Sequence, residues 1–185
     1  MTNSQLYAML KDGDVVHVHT SSLLGEAIRL FERIRYGKFA WANHTAIISI
    51  EDDKVWLNEA NPKMMRTLMS DWMDDAGVLD KKFIVTRISE PFWTEQMTVQ
   101  NVKNDIDILL GTKYNYLDIL VSCPIFMLTG RWINGFWNNG KRYFCSQVVS
   151  FILNKYTRGL FSDIDIAPAK VYQELFRFKT IYKNF

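Results

Sequence analysis

Cys145 stands where a thiol could be a nucleophile. Tyr143-Phe144-Cys145-Ser146-Gln147 runs into Val148, Val149, Ile152, Leu153 and Tyr156, apolar residues spaced as one face of a helix. The spacing predicts a helix that begins at or just before Cys145. There, unpaired backbone N–H groups and the positive end of the macrodipole favour a thiolate. Such a thiolate becomes chemically useful when an imidazole reaches it. The chain has three histidines, and His44 heads a strand-like run, His44-Thr45-Ala46-Ile47-Ile48-Ser49-Ile50.

The return strand of that hairpin offers a carboxylate. Glu51-Asp52-Asp53-Lys54 reads as a turn and Val55-Trp56-Leu57-Asn58-Glu59-Ala60 as the second strand. With a loop of two or four residues, Ile50 faces Val55 and Ala46 faces Glu59. His44, Ala46, Leu57 and Glu59 then share one face, with Glu59 diagonal to His44. A three-residue loop would turn Glu59 to the other side. In the first register the carboxylate can hold the tautomer of the imidazole and stabilise its cation.

The order of these residues resembles a known family. His44 comes first, then Glu59 in Leu57-Asn58-Glu59-Ala60, then Gly111-Thr112-Lys113-Tyr114, then Cys145-Ser146. This is similar to the circularly permuted branch of the NlpC-type papain-like superfamily. That branch includes YiiX-like proteins and, more distantly, lecithin retinol acyltransferase-like enzymes. The opening Gly13-Asp14-Val15-Val16 also matches, and the likeness spans roughly Leu10 to Tyr172. The resemblance implies a cysteine peptidase or amidase with a Cys145-His44-Glu59 triad. It implies that Tyr114 lies beside the nucleophile and shapes the oxyanion or substrate pocket. Cell-wall peptides are the first substrate class it implies, with lipid esters and amides the alternative. About thirty residues separate Tyr114 from Cys145, which points to an insertion at about 117–140.

The elements that must position these residues are those of an α+β domain: a small antiparallel sheet packed on helices. Asp14 to His19 reads as a strand, and Ser21 or Ser22 caps a helix through Arg35 with Leu24, Ile28, Phe31 and Ile34 or Arg35 along one side. Asn61 to Asp80 is rich in loop signals, and Phe83 to Ile88 is a strand. Thr94 to Leu110 reads as a helix closed by Gly111, and Ala167 to Phe176 as a helix started by Pro168. No repeat or linker divides the 185 residues, so a single domain is expected.

Other features exclude function classes or supply rival readings. A formal charge of +2 is too small to imply a nucleic-acid partner or an anionic membrane. The most apolar stretch, Leu117 to Leu128, contains Asp118 and Pro124 and is too short for a stable span; it reads as a broken buried helix or an interfacial segment. With Trp132, Phe136 and Trp137 it could be a satellite core or a cover over the site. The first ten residues lack the basic start and apolar core of a signal peptide, so synthesis in the cytoplasm is expected, with phage lysis or a virion as a route to a cell wall. Cys123, beside Pro124, is expected to be buried and inert. His17 and His19 share a strand face and could join His44 on a metal, but a His-x-His pair without supporting ligands is weak, and no metal or cofactor is expected. The dull alternative for Cys145 is a small hydrophobe in a binding or structural protein.

Overall fold

The computed structural model describes residues 3–74, 82–116, 121, 123–129, 142–161 and 167–184. In chain order the elements are α1 (Asn3–Met9), β1 (Val15–His19), α2 (Leu23–Tyr36), β2 (His44–Glu51), β3 (Lys54–Ala60), β4 (Met64–Leu68) and α3 (Met69–Asp74). There follow β5 (Lys82–Arg87), α4 (Val99–Leu109), β6 (Lys113–Tyr114), α5 (Cys123–Thr129), β7 (Arg142–Tyr143), α6 (Cys145–Tyr156), α7 (Pro168–Leu175) and β8 (Lys179–Lys183). The class is α+β.

Six strands form one antiparallel sheet in the order β4-β3-β2-β1-β5-β8. Its two faces carry separate cores, because side chains alternate along each strand. On one face Val15 and Ile47 pack with Val102 and Ile106 of α4, Val149 and Ile152 of α6 and Val171 of α7. On the other, Val16, Ala46, Ile48 and Leu57 pack with Leu6 of α1 and Met69 and Trp72 of α3.

The β2–β3 hairpin has the expected register. Ile50 pairs with Val55 and Ile47 with Asn58, and the loop is the two residues Asp52 and Asp53, at φ 51° and 58°. Positive φ at both positions is the geometry that lets a two-residue turn match strand twist, and aspartate tolerates it. Helix α6 buries Val148, Val149, Ile152, Leu153 and Tyr156, the face read from their spacing.

Other expectations are corrected. The sheet is larger than expected because β4 and β8 join it. β4, Met-Met-Arg-Thr-Leu, falls in the stretch read as loop; it lacks β-branched alternation and gains its order from pairing with β3. Helix α4 starts at Val99, five residues later than Thr94. The hydroxyl of Thr98 accepts from the N–H of Asn101 at 3.1 Å and caps it there, while Thr94 N–H donates to Tyr156 at the end of α6. Helix α2 has the expected Ser22 cap, and of the expected side Ile28 is buried and Leu24 and Phe31 pack on core residues, but Ile34 is 63% exposed and the inner face is completed by Gly25, Arg29, Glu32 and Tyr36. The expectations for Trp132, Phe136, Trp137 and the side chain of Cys123 lie outside the described residues, as does most of the 117–140 segment.

Candidate active site

The nucleophile candidate is set by α6. Phe144 occupies the N-cap, and the side chain of Gln147 reaches back to accept from its backbone N–H at 3.0 Å. Cys145 is therefore the first helical residue, 2% exposed, with a free thiol.

Tyr114 reaches the same point across the long gap in sequence. β6 and β7 pair in parallel, Lys113 with Arg142 and Tyr114 with Tyr143, and Asn115 N–H donates to the Tyr143 carbonyl at 3.2 Å. Two and three residues beyond Arg142 stand Phe144 and Cys145, so this short pairing fixes the tyrosine beside the thiol whatever path residues 117–140 take. Its other flank is tied to the segment after β3, where Tyr114 N–H donates to the Pro62 carbonyl at 3.0 Å. The Tyr114 phenol hydrogen-bonds both the side chain and the backbone N–H of Cys145.

His44 opens β2, and its Nε2 meets Oε2 of Glu59 at 2.5 Å. The side chains are 14% and 6% exposed, so water screens the pair weakly. A second hydrogen bond joins the imidazole to the Cys145 thiol. With Nε2 held by Glu59, Nδ1 is the ring nitrogen left for sulfur. The backbone N–H of Thr45 adds a further hydrogen bond to that sulfur.

These contacts decide the charges. Burial alone would push the thiol up, but the His44 cation, its hydrogen bond, the Thr45 N–H and the Tyr114 hydroxyl together hold Cys145 below the ordinary thiol range. Burial alone would push His44 down; the thiolate and Glu59 raise it to about 10. Tyr114 is driven well above its usual range by burial and by the neighbouring thiolate, and stays a neutral donor. Both shifts run in the direction that favours a thiolate beside an imidazolium.

The sign of these shifts makes a prediction. Alkylation of Cys145 by iodoacetamide should stay fast as pH falls from 9 through neutrality, since the thiolate survives below its unperturbed range. In His44→Ala the opposing cation is gone and burial remains, so reaction should slow at neutral pH and rise only in alkali. Wild-type labelling that required unfolding would rule out the ion pair.

His44, Glu59 and Tyr114 open onto a cleft of about 310 Å³. Thr20, Ser22, Asn43 and Asn61 supply polar groups to its wall, and Leu24, Ile28 and Trp72 apolar ones. Sequence reasoning named Ser22, Leu24 and Ile28 only as parts of a helix and assigned none of the cleft residues, nor the Thr45 N–H, to a site, because backbone donors and cleft walls are assembled by the fold; only the position of Asn43 beside His44 was a hint. His17 and His19 stand elsewhere. His17 is wholly buried against Tyr172, with Nε2 2.9 Å from Thr86 Oγ1, and burial pushes it down to about 3. His19 bonds Arg29 at 2.9 Å. Among the described residues no three His, Cys, Asp or Glu side chains stand close enough to hold a metal ion.

The architecture is thus a YiiX-like α+β fold with a buried Cys-His-Glu cluster at the start of its central hairpin. Among solved structures, the metalloprotein YiiX of Escherichia coli O157:H7 superposes with a TM-score of 0.61 at 16% identity, over 96% of this chain and 99% of that one. No protein-family description matches the sequence. No curated protein matches it either.

Proposed function

We propose that this chain is a thiol hydrolase that cleaves amide bonds through an acyl-enzyme, on the permuted NlpC-type papain-like plan. The observation that carries the reading is the continuous hydrogen-bonded series Glu59–His44–Cys145, with 2.5 Å between carboxylate and imidazole. An idle core thiol has no need of an imidazolium and two further donors around it.

The Cys145 thiolate attacks the amide carbonyl. The new S–C bond forms as the C=O pair moves to oxygen. Cys145 N–H and the Tyr114 hydroxyl already meet at one point, and the oxyanion would take the place of their mutual contact; one such donor contributes about 10²–10³ in rate in other enzymes. As the C–N bond breaks, His44 gives its proton to the departing amine. The neutral imidazole then takes a proton from water, which attacks the thioester and releases the acid and the thiolate. Glu59 holds the ring throughout. The YiiX structure is described as that of a metalloprotein; among the described residues no group of three His, Cys, Asp or Glu side chains is placed to hold a metal ion, and the steps above are written without one.

Cell-wall peptides are the proposed substrates. The hydroxyl and amide groups of Thr20, Ser22, Asn43 and Asn61 suit the polar backbone of a peptide. Incubation with defined muropeptides, and separately with lipid amides and esters, followed by mass spectrometry, tests this. Muropeptide cleavage is the expected result; cleavage of lipids alone would transfer the same chemistry to an acyl hydrolase, and cleavage of neither would leave the thiol without a substrate in these classes.

A further inference from the structure

Helix α2, which forms one wall of the cleft, buries Ile28 and Tyr36 but also presents a second set of apolar side chains to solvent. Leu23, Leu30 and Ile34 are 90%, 64% and 63% exposed, whereas Arg29 and Glu32 are 9% and 0%. Leu23, Ala27, Leu30 and Ile34 follow a four-three-four spacing, so they form one stripe along the exposed side. A surface helix in a globular domain ordinarily has the reverse arrangement.

Specific contacts hold this rotation. Arg29 donates to Glu26 at 2.7 Å and to the Ala40 carbonyl at 3.4 Å, and its Nη1 lies 2.9 Å from His19 Nε2. Glu32 accepts from Ala169 N–H of α7 at 3.3 Å. At Gly25 a Cβ would come within 2.4 Å of Asn43 Nδ2 and 2.6 Å of Thr20 Oγ1, so the helix sits where only glycine fits. Turning α2 to bury Leu30 would break all of these. The stripe faces outward by construction.

Its surroundings are basic and apolar. Arg33 and Arg35 lie in the last turn of α2 and Lys38 just beyond it, while the acid Glu26 is engaged by Arg29. The Lys38 ammonium lies 5.9 Å over the ring of Phe176, which is 55% exposed. Helix α5, packed on α2, leaves Leu128 73% exposed.

We propose that the α2 stripe docks on an anionic lipid surface, with the helix lying in the interface and the basic end against headgroups. The chemistry matches: aliphatic side chains at acyl depth and cations at headgroup depth. Size favours lipid over a second copy of the chain. Four aliphatic side chains cover on the order of 400 Å², about half of the ~800 Å² per partner of a standard protein interface. A bilayer needs only a few inserted side chains and some attraction. No described helix is long and apolar enough to cross a membrane. Leu24 and Ile28 of the same helix line the cleft, and docking would bring the cleft to the membrane surface. The inference does not rest on the thiol chemistry.

Co-sedimentation of the full chain with vesicles of phosphatidylglycerol and phosphatidylcholine, and with pure phosphatidylcholine, tests it. Binding should favour the anionic vesicles and weaken with salt. It should drop about ten-fold or more in the Leu30→Glu/Ile34→Glu variant, with circular dichroism unchanged. Lys38→Glu should weaken binding to anionic vesicles without adding charge to the stripe. The proposal is overturned if the wild type pellets with neither vesicle or if the double variant binds as well. It is overturned too if the wild type is a dimer in light scattering that Leu30→Glu dissociates, which would make a second copy the occupant.

Discussion

Cys145→Ala is expected to leave no measurable amide turnover, a loss of about 10⁴-fold or more, because no other group at the site can form the acyl intermediate. The methyl group fits where the sulfur was, and α6 keeps its cap and its buried face, so the fold should survive. Removing the thiolate also leaves the His44 imidazolium with Glu59 as its one charged partner, so the pKa of His44 should fall. The variant therefore has two readouts, turnover and the imidazole titration followed by NMR. Cys145→Ser should be nearly as inactive, since an alkoxide is not accessible at neutral pH and the charge pair is lost with the thiolate. Cys123→Ala serves as the control and should keep its activity. If Cys123→Ala is dead and folded while Cys145→Ala turns over, the wrong thiol has been assigned.

Much of this site was legible because it depends on short-range periodicity. The spacing of Val148, Val149, Ile152, Leu153 and Tyr156 fixes which side of α6 is buried, and therefore where Cys145 lies on it. The Asp52-Asp53 turn sets the hairpin register, and register decides whether Glu59 shares a face with His44. Those two local facts place the thiol on its helix and the acid beside the imidazole.

The remainder depends on long-range pairing and on polar burial. Nothing near Tyr114 signals that it pairs with Tyr143; a two-residue parallel contact has no pattern of its own. β4 is ordered by its neighbour, and its side chains give a weak strand signal. On α2 periodicity placed Leu24, Ile28 and Phe31 inward correctly but missed the outward Ile34 and the buried charges, because it assumes that apolar residues go inside. Here Arg29 and Glu32 are inside with partners, and the glycine between Thr20, Ser22 and Asn43 decides how close the helix sits. Departures of this sort concentrate where a protein binds something. α2 both lines the cleft and carries the outward stripe.

His44→Ala and Glu59→Gln should separate the two roles around the thiolate. His44→Ala removes the cation that keeps Cys145 ionised and the acid that protonates the leaving amine, so turnover should fall by about 10³-fold or more. The residual rate should rise with pH, because only alkali then supplies thiolate against the burial that pushes the thiol up. Glu59→Gln keeps an acceptor for the ring N–H and the direction of the imidazole, but loses the negative charge 2.5 Å from Nε2. The His44 pKa should fall, the Cys145 pKa should rise, and the acid limb of the pH–rate profile should move upward. Its loss at the optimum should be roughly 10- to 100-fold, smaller than for either partner. Because the three act as one unit, the Cys145→Ala/His44→Ala double variant should be no worse than Cys145→Ala alone. Steady-state kinetics over pH on folded variants measures all of this. Near wild-type turnover in His44→Ala would eliminate the thiolate–imidazolium mechanism, and a Glu59→Gln enzyme as dead as Cys145→Ala would mean that the carboxylate does more than hold the ring.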